Sequence, residues 1–383
     1  MERLSSFEVF TGVVVQFWPV WLAIAVVMGL SFAFRERLGL YGQIYGSGVG
    51  LAGLLFVFFW LFTALLADQV AYADPLAQFP IMKNKPPGAI DPDTGTAFLL
   101  GGDKLARDVF SRMVYGSQIV LIIAPAATLF AFMVGITLGL PAGFYGGWID
   151  AVLSFLANLI LAFPVILLFY LLVTPEIQET VIPQSFAGVF FIVPIVFFAV
   201  LFGSRYRTQP VKLAVLMAVT LVVGAWLYMG LVFDRDPLGI VSLDPNELNI
   251  FVAVVFASAP GVFRIVRGLV MDVKTRDYVA AAQTRGEGPW YTMLWEMLPN
   301  ARGPLIVDAC LRIGYTTILL GTLGFFGLGL APESPDWGTT IKDGSRFLRI
   351  YPHPAIAPAL ALMTFVLGLN LLADALREES LRD

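Results

Sequence analysis

Residues 277–300 read DYVAAAQTRGEGPWYTMLWEMLPN, a polar, helix-prone hairpin set between two long apolar segments. Small side chains at Ala280, Ala281 and Ala282 allow another backbone to come close. Gly286 suits the end of one helix, and Pro289 suits the first turn of the next. Leu298 and Pro299 close the stretch. A membrane chain that builds such a hairpin on its cytoplasmic side offers it to a partner.

Composition places the flanking segments in a bilayer. Of 383 residues, 58% are hydrophobic and only 14% are charged, and mean hydropathy is +0.80. Soluble chains carry about 25% charged residues, enough to cover a surface that faces water. A net charge of −4 gives no reason to expect nucleic acid. The single cysteine, Cys310, lies in an apolar run and is expected to pack.

Apolar runs of about 17 to 25 residues can cross a bilayer as helices. Nine are expected, at 13–34, 48–67, 117–142, 150–174, 186–202, 211–233, 249–268, 303–329 and 355–376. The short link between the fifth and sixth makes them a hairpin. Prolines 125, 141 and 164 fall inside runs, which requires neighbouring helices to repair the backbone and so implies a bundle. Arginine and lysine concentrate around 264–302, close to span ends, which puts that side in the cytoplasm. The N-terminus is then outside and the C-terminus inside. Residues 68–116 form one long external stretch, rich in Pro, Gly and Asp, expected to be an ordered loop. A second external segment holds Trp337 and Gly338, the tryptophan being most simply an interfacial anchor.

Enzymatic chemistry finds no support. No phosphate-binding G-x-x-x-x-G-K-[ST] loop occurs, no His/Cys cluster offers a metal site, and no catalytic nucleophile motif is present. The one histidine, His353, stands between two prolines at a span mouth and is expected to pack or face the surface. Asp308 and Arg312, four residues apart on the eighth span, can share a helix face and pair. They are either a structural ion pair near the cytoplasmic end or a pair that lines or gates a path. Gly324 and Gly327, within GTLGFFGLGL at 321–330, permit tight helix approach and also bending.

These pieces resemble the inner-membrane permease subunits of ABC importers of the dipeptide, oligopeptide and nickel class. Ala281, Ala282, Gly286, Leu298 and Pro299 match that family's cytoplasmic signature, with Ala280 standing where glutamate is usual. RIVRG at 264–268, LGGDKLARDVFSRMVYG at 100–116, GFYGGWID at 143–150, AFP at 162–164, LGFFGLGL at 323–330, SPDWG at 334–338 and NLLADALRE at 370–378 fit as well. Leu320 replaces a frequent glutamate, and the first, fifth and sixth spans are additional to a six-span pattern.

The resemblance implies an all-α polytopic membrane protein, a type I ABC importer permease bundle of about nine transmembrane helices. It would comprise an N-terminal helix and linker (1–47), a first core helix and external loop (48–116), and a permease domain (117–383) with a two-helix insertion at about 175–248. The hairpin would couple to an ATPase through Asp277, Tyr278, Ala280, Ala281, Ala282, Gly286, Glu287, Leu298 and Pro299. Asp308 and Arg312, unusual for that family, stay candidates for the path or gate on their own spacing, as do Gly324 and Gly327, while the resemblance suggests an external lid at Trp337 and Gly338. The implied partners are a second, homologous permease, two ATP-binding cassette ATPases that carry the ATP and Mg, and an extracytoplasmic solute-binding protein. No cofactor would be bound by this chain itself. Its place would be the cytoplasmic membrane of a bacterium or archaeon. Alternatives are a stand-alone secondary transporter or channel, and a non-transporting scaffold.

Overall fold

A computed structural model describes residues 3–173, 180–239, 245–330 and 333–380. Fourteen helices carry the chain among these residues, labelled here without the shortest turns. They are α1 (Ser6–Gln16), α2 (Trp18–Ala33), α3 (Gly48–Leu65), α4 (Val109–Tyr145), α5 (Gly147–Ala162), α6 (Val165–Val173), α7 (Val181–Arg205) and α8 (Pro210–Phe233). After them come α9 (Pro245–Val273), α10 (Asp277–Thr284), α11 (289–300), α12 (Arg302–Phe326), α13 (Trp337–Ser345) and α14 (His353–Ser380). Two two-residue strands, β1 (Ala89–Ile90) and β2 (Ala97–Phe98), pair antiparallel in the long loop.

Seven helices are long and apolar enough to cross a membrane, and nine crossings result if each of two bent pairs counts as one span. The expected nine runs are therefore present, with two corrections of form. The first is not a straight helix: α1 and α2 meet at a 50° bend, with Pro19 in the first turn of α2. The fourth is bent by 76° between α5 and α6. Pro164 lies in that break, where its missing N–H would leave a gap in a continuous helical ladder. By contrast α4 runs on through Pro125 and Pro141. Its 37 residues amount to about 55 Å, longer than a hydrocarbon core.

The chain divides into two compact units, residues 1–125 with 310–383, and residues 126–309. In the first, α3 and α14 lie backbone to backbone. A Cβ on Gly53 would stand 2.6 Å from Leu372 N, and one on Gly368 would stand 2.6 Å from the Cβ of Phe56. Lipid tails are as apolar as leucine, so helices in a bilayer associate through such close contact. Trp337 lies at the middle of an aromatic cluster, fully buried, with ring centroids 5.0 Å from Trp60 and 6.4 Å from Phe365. Its indole N–H donates to the carbonyl of Met113 at 2.9 Å. The interfacial-anchor reading of Trp337 is thus overturned: an indole with its one polar atom satisfied inside is a core residue.

The external loop of this unit is ordered by charge. Arg107 Nε donates to Asp103 Oδ2 at 2.7 Å, with both side chains buried. Lys104 Nζ reaches Asp343 at 2.7 Å, and Arg107 reaches the other oxygen of Asp343 at 3.4 Å. Arg112, also fully buried, donates to the carbonyls of Pro75, Glu333 and Ser334 and to Thr340 Oγ1. Residues 100–116 thereby pin the two external segments together. His353 Nε2 lies 3.1 Å from the carbonyl of Gly102, so this histidine packs, as expected.

In the second unit, α4 and α9 meet along a stripe of small residues. Cβ atoms on Gly135, Gly139 and Gly143 would stand 2.5, 2.9 and 2.8 Å from side-chain atoms of Val262, Val266 and Val270 respectively. Both sets recur every four residues, so they follow one face of each helix. A bond from Lys274 Nζ to the carbonyl of Gly143 at 3.3 Å holds the same ends together, and the ion pair of Arg267 with Asp150 ties α9 to the start of α5. Helices α7 and α8 form the expected hairpin. A Cβ on Gly224 would come within 2.8 Å of Ile195, and Gln184 Nε2 bonds the carbonyl of Val232.

Candidate functional site: the 277–300 hairpin

Two short helices and a glycine turn make the hairpin. Helix α10 ends in a complete Schellman motif: Gly286 N–H donates to Gln283 O at 2.9 Å, and Glu287 N–H to Ala282 O at 3.2 Å. Gly286 occupies the left-handed region at φ +80°, which L side chains adopt at a cost of about 1–2 kcal/mol. Pro289 follows in the first turn of α11, where its absent N–H has no bond to lose. Both expectations from sequence hold.

Helix α11 is not uniform. Residues Thr292–Met297 form a π-helical turn. Pro299 supplies a physical reason: a proline ring meets the carbonyl four residues back, here that of Trp295, and a wider turn moves that carbonyl away. Thr292, Met293, Leu294 and Met297 of this turn are buried. Arg285 Nη2 closes the hairpin on Glu296 Oε1 at 2.6 Å. That pair is largely exposed and is worth at most about 1 kcal/mol.

The α10 side chains divide by face. Val279 and Ala282 are buried within the chain. Asp277, Ala280, Ala281 and Gly286 are exposed, as is Pro299; Tyr278, Glu287 and Leu298 are half-buried. The small side chain of Ala282 therefore serves the hairpin's own packing. The surface free for a neighbour includes Asp277, Ala280, Ala281 and Gly286, and nothing stands within 4 Å of a Cβ built on Gly286.

A clamp unread from sequence supports the hairpin from the side. The Arg205 guanidinium lies over the rings of Trp295 and Tyr291, 4.8 and 5.9 Å from their centroids. Arg205 Nη1 donates to Tyr291 Oη at 3.0 Å, and Trp295 Nε1 donates to Ser204 Oγ at 3.1 Å. Arg205 ends α7, so the α7–α8 hairpin braces the 277–300 hairpin. The sequence signal for it is the basic stretch RYR at 205–207.

The other expected site residues belong to other elements. Asp308 and Arg312 sit on one helix, α12, half-buried; each has an interaction partner and neither is a bare charge. Gly324 is buried in contact with α13: its Cβ would meet Asp336 Oδ1 at 2.6 Å and Thr339 N at 2.8 Å. Gly338 is the reciprocal contact: a Cβ on it would stand 2.3 Å from the carbonyl oxygen of Gly321. Gly327 ends α12 at φ +79°, with Gly327 N–H on Gly324 O and Leu328 N–H on Leu323 O. These glycines therefore pack and terminate rather than bend a continuing helix. Among the described residues, no group of three or more His, Cys, Asp or Glu could hold a metal ion.

Residues 135–379 match the family described as binding-protein-dependent transport system inner membrane component. The chain is 28% identical over 349 residues to the di/tripeptide transport system permease protein DppC of Pseudomonas aeruginosa, covering 91% of this chain and 93% of that protein. It is 27% identical over 350 residues to the dipeptide transport system permease protein DppC of Haemophilus influenzae, covering 91% and 96%. Against the glutathione transport system permease protein GsiD of Pectobacterium atrosepticum it is 29% identical over 283 residues, covering 74% and 72%.

Proposed function

This chain belongs to the binding-protein-dependent transport system inner membrane component family, and from that premise we propose that its 277–300 hairpin is the lever through which nucleotide hydrolysis elsewhere drives transport. The chain is a multi-pass inner-membrane permease subunit of an ABC importer. Membership favours this over a secondary transporter or channel acting alone. Peptides or similar small solutes are the proposed cargo, in keeping with the dipeptide and glutathione transport named for its relatives.

The proposed assembly has a second, homologous permease, two ATPases that hold ATP and Mg, and an extracytoplasmic binding protein that delivers solute. This chain would line half of the path and perform no catalysis. Closure of the ATPases would move the hairpin, and the packed bundle would convert that movement into inward- or outward-open states. Asp308 and Arg312 would line or gate the path, and the α13 segment with Trp337 and Gly338 would stand at the external mouth, though as a packed element rather than a loose lid.

The observation that carries the proposal is the exposed face of α10. Its outward residues include Ala280 and Ala281, set beside an open Gly286, on a helix whose other face is packed. A neighbouring protein can come close there and push on something firm. Ala281→Trp tests it in the complete transporter reconstituted in vesicles. Because Ala281 is exposed, insertion and thermal stability should be unchanged, while solute uptake falls about tenfold or more and ATP hydrolysis loses its response to substrate. Normal uptake by this variant would overturn the proposal.

A further inference from the structure

The α7–α8 link and the hairpin turn enclose a cleft of about 930 Å³, lined by residues 203–209, Lys212 and 286–291 among others. Three cations face it, Arg205, Arg207 and Lys212, against the carboxylate of Glu287. Among the described residues none of the three cations is in an ion pair. Arg205 is oriented by its rings and by Tyr291, and the Lys212 ammonium lies 4.2 Å from the Tyr206 ring centroid. Arg207 is exposed.

Depth decides what this cleft meets. Arg205 is the last residue of one apolar membrane helix, and Lys212 is the third residue of the next. Residues between two such ends lie at the level of lipid headgroups, where Trp and Tyr also concentrate. Tyr206, Trp290 and Tyr291 line the same cleft. A sidedness signal needs only scattered positive charge; here the charge is gathered in a concavity and partly fixed by rings. We propose that the cleft binds the phosphodiester headgroup of an anionic phospholipid from the leaflet it faces. Basic pockets between transmembrane helices are suited to such groups, each cation contributing through short-range attraction to anionic lipid. Because one wall of the cleft is the hairpin turn, bound lipid would also stiffen the hairpin against the α7–α8 pair. This requires only that α7 and α8 lie in a bilayer, and so stands or falls separately from the coupling role of α10.

The test uses the full chain purified in detergent and titrated with short-chain phosphatidylglycerol, short-chain phosphatidylcholine and inorganic phosphate. The wild type should bind phosphatidylglycerol in preference to phosphatidylcholine, with no competition from inorganic phosphate at millimolar concentration. Arg207→Gln with Lys212→Gln should weaken phosphatidylglycerol binding about thirtyfold and leave phosphatidylcholine unchanged. Arg207→Lys with Lys212→Arg, which keeps both charges, should retain binding and so excludes a folding defect. Equal phosphatidylglycerol binding by the glutamine pair overturns the proposal. Competition by inorganic phosphate overturns it in favour of a free-anion site. If the glutamine pair keeps its lipid binding but retains less ATPase than the wild type when the complete transporter is purified, the proposal is overturned in favour of a protein contact.

Discussion

Gly286 and Asp108 show how one residue is governed by backbone in the first case and by burial in the second. Since the space around Gly286 is open, the cost of replacing it lies in its positive φ. Gly286→Ala should destabilise the hairpin turn by about 1 kcal/mol, seen as faster amide exchange across 282–287 with the membrane helices unaffected. Gly286→Trp adds a bulky group on the exposed face and should also uncouple hydrolysis from uptake. Unaltered exchange in the alanine variant would show that the turn tolerates a Cβ. Asp108 is buried just before α4, where it accepts from Ser111 N–H at 2.6 Å and from the Tyr72 hydroxyl at 2.8 Å. Desolvation outweighs these bonds and pushes its pKa up to about 6. A carboxyl whose folded pKa is raised favours the folded state most below its unfolded value, and that contribution is lost as pH rises through about 6. Wild type should therefore lose stability relative to Asp108→Asn between about pH 4 and 7, measured as the difference in melting temperature. A difference that stays flat across that range would contradict the raised value. Asp108 belongs to a motif that the sequence offered only as a likeness, and its burial could not be read there.

At the level of elements, the contact of α4 with α9 rests on three glycines facing three valines. Gly139→Leu would force the helices apart, since even a Cβ lies 2.9 Å from Val266 and 3.0 Å from the carbonyl of Phe263. Overpacking of this kind costs about 1–3 kcal/mol, and Val266→Ala in the same chain should recover part of it. Thermal unfolding in detergent measures both; full stability of Gly139→Leu alone would show that α4 and α9 are not in contact there. This stripe was invisible to hydropathy because α4 is apolar on every face, so periodicity carries no phase. Gly286 and Pro289 were legible because they punctuate the backbone in a polar stretch, where little else competes. Trp337 was misread for the opposite reason: its neighbours are polar, and the helices that bury it are distant in sequence. The ion cluster of Asp103, Arg107, Arg112 and Asp343 shares that fate, since Asp343 lies 236 positions from Arg107.

For the whole molecule, contacts within each unit fix how often the chain crosses the bilayer. Leu4 N–H bonds the carbonyl of Gly88 at 2.9 Å, so the N-terminal segment and the long loop share one side. As α3 crosses between them, the bent pair α1–α2 must also cross, once. On the other face, Lys274 at the end of α9 touches Gly143 at the end of α4, and Ser204 at the end of α7 touches Trp295 in the hairpin. With the ends of α4 and α7 on one side, and α7 itself crossing, the bent pair α5–α6 must cross once too. Together with the seven single helices long and apolar enough to cross a membrane this gives nine crossings among the described residues, an odd number that leaves the two chain ends on opposite sides. The charge distribution around 264–302 then orients the whole, hairpin inward. Single-cysteine labelling checks it. In a Cys310→Ala background, Thr94→Cys, in the exposed tip of the external loop, should react with a membrane-impermeant maleimide in right-side-out vesicles. Thr208→Cys and Gln283→Cys, exposed on the hairpin side, should react only after the vesicles are opened. Labelling of Thr94→Cys and Thr208→Cys together in sealed vesicles would mean that the bent pair α5–α6 turns back within the bilayer, and the hairpin could then no longer be the inward lever of an importer.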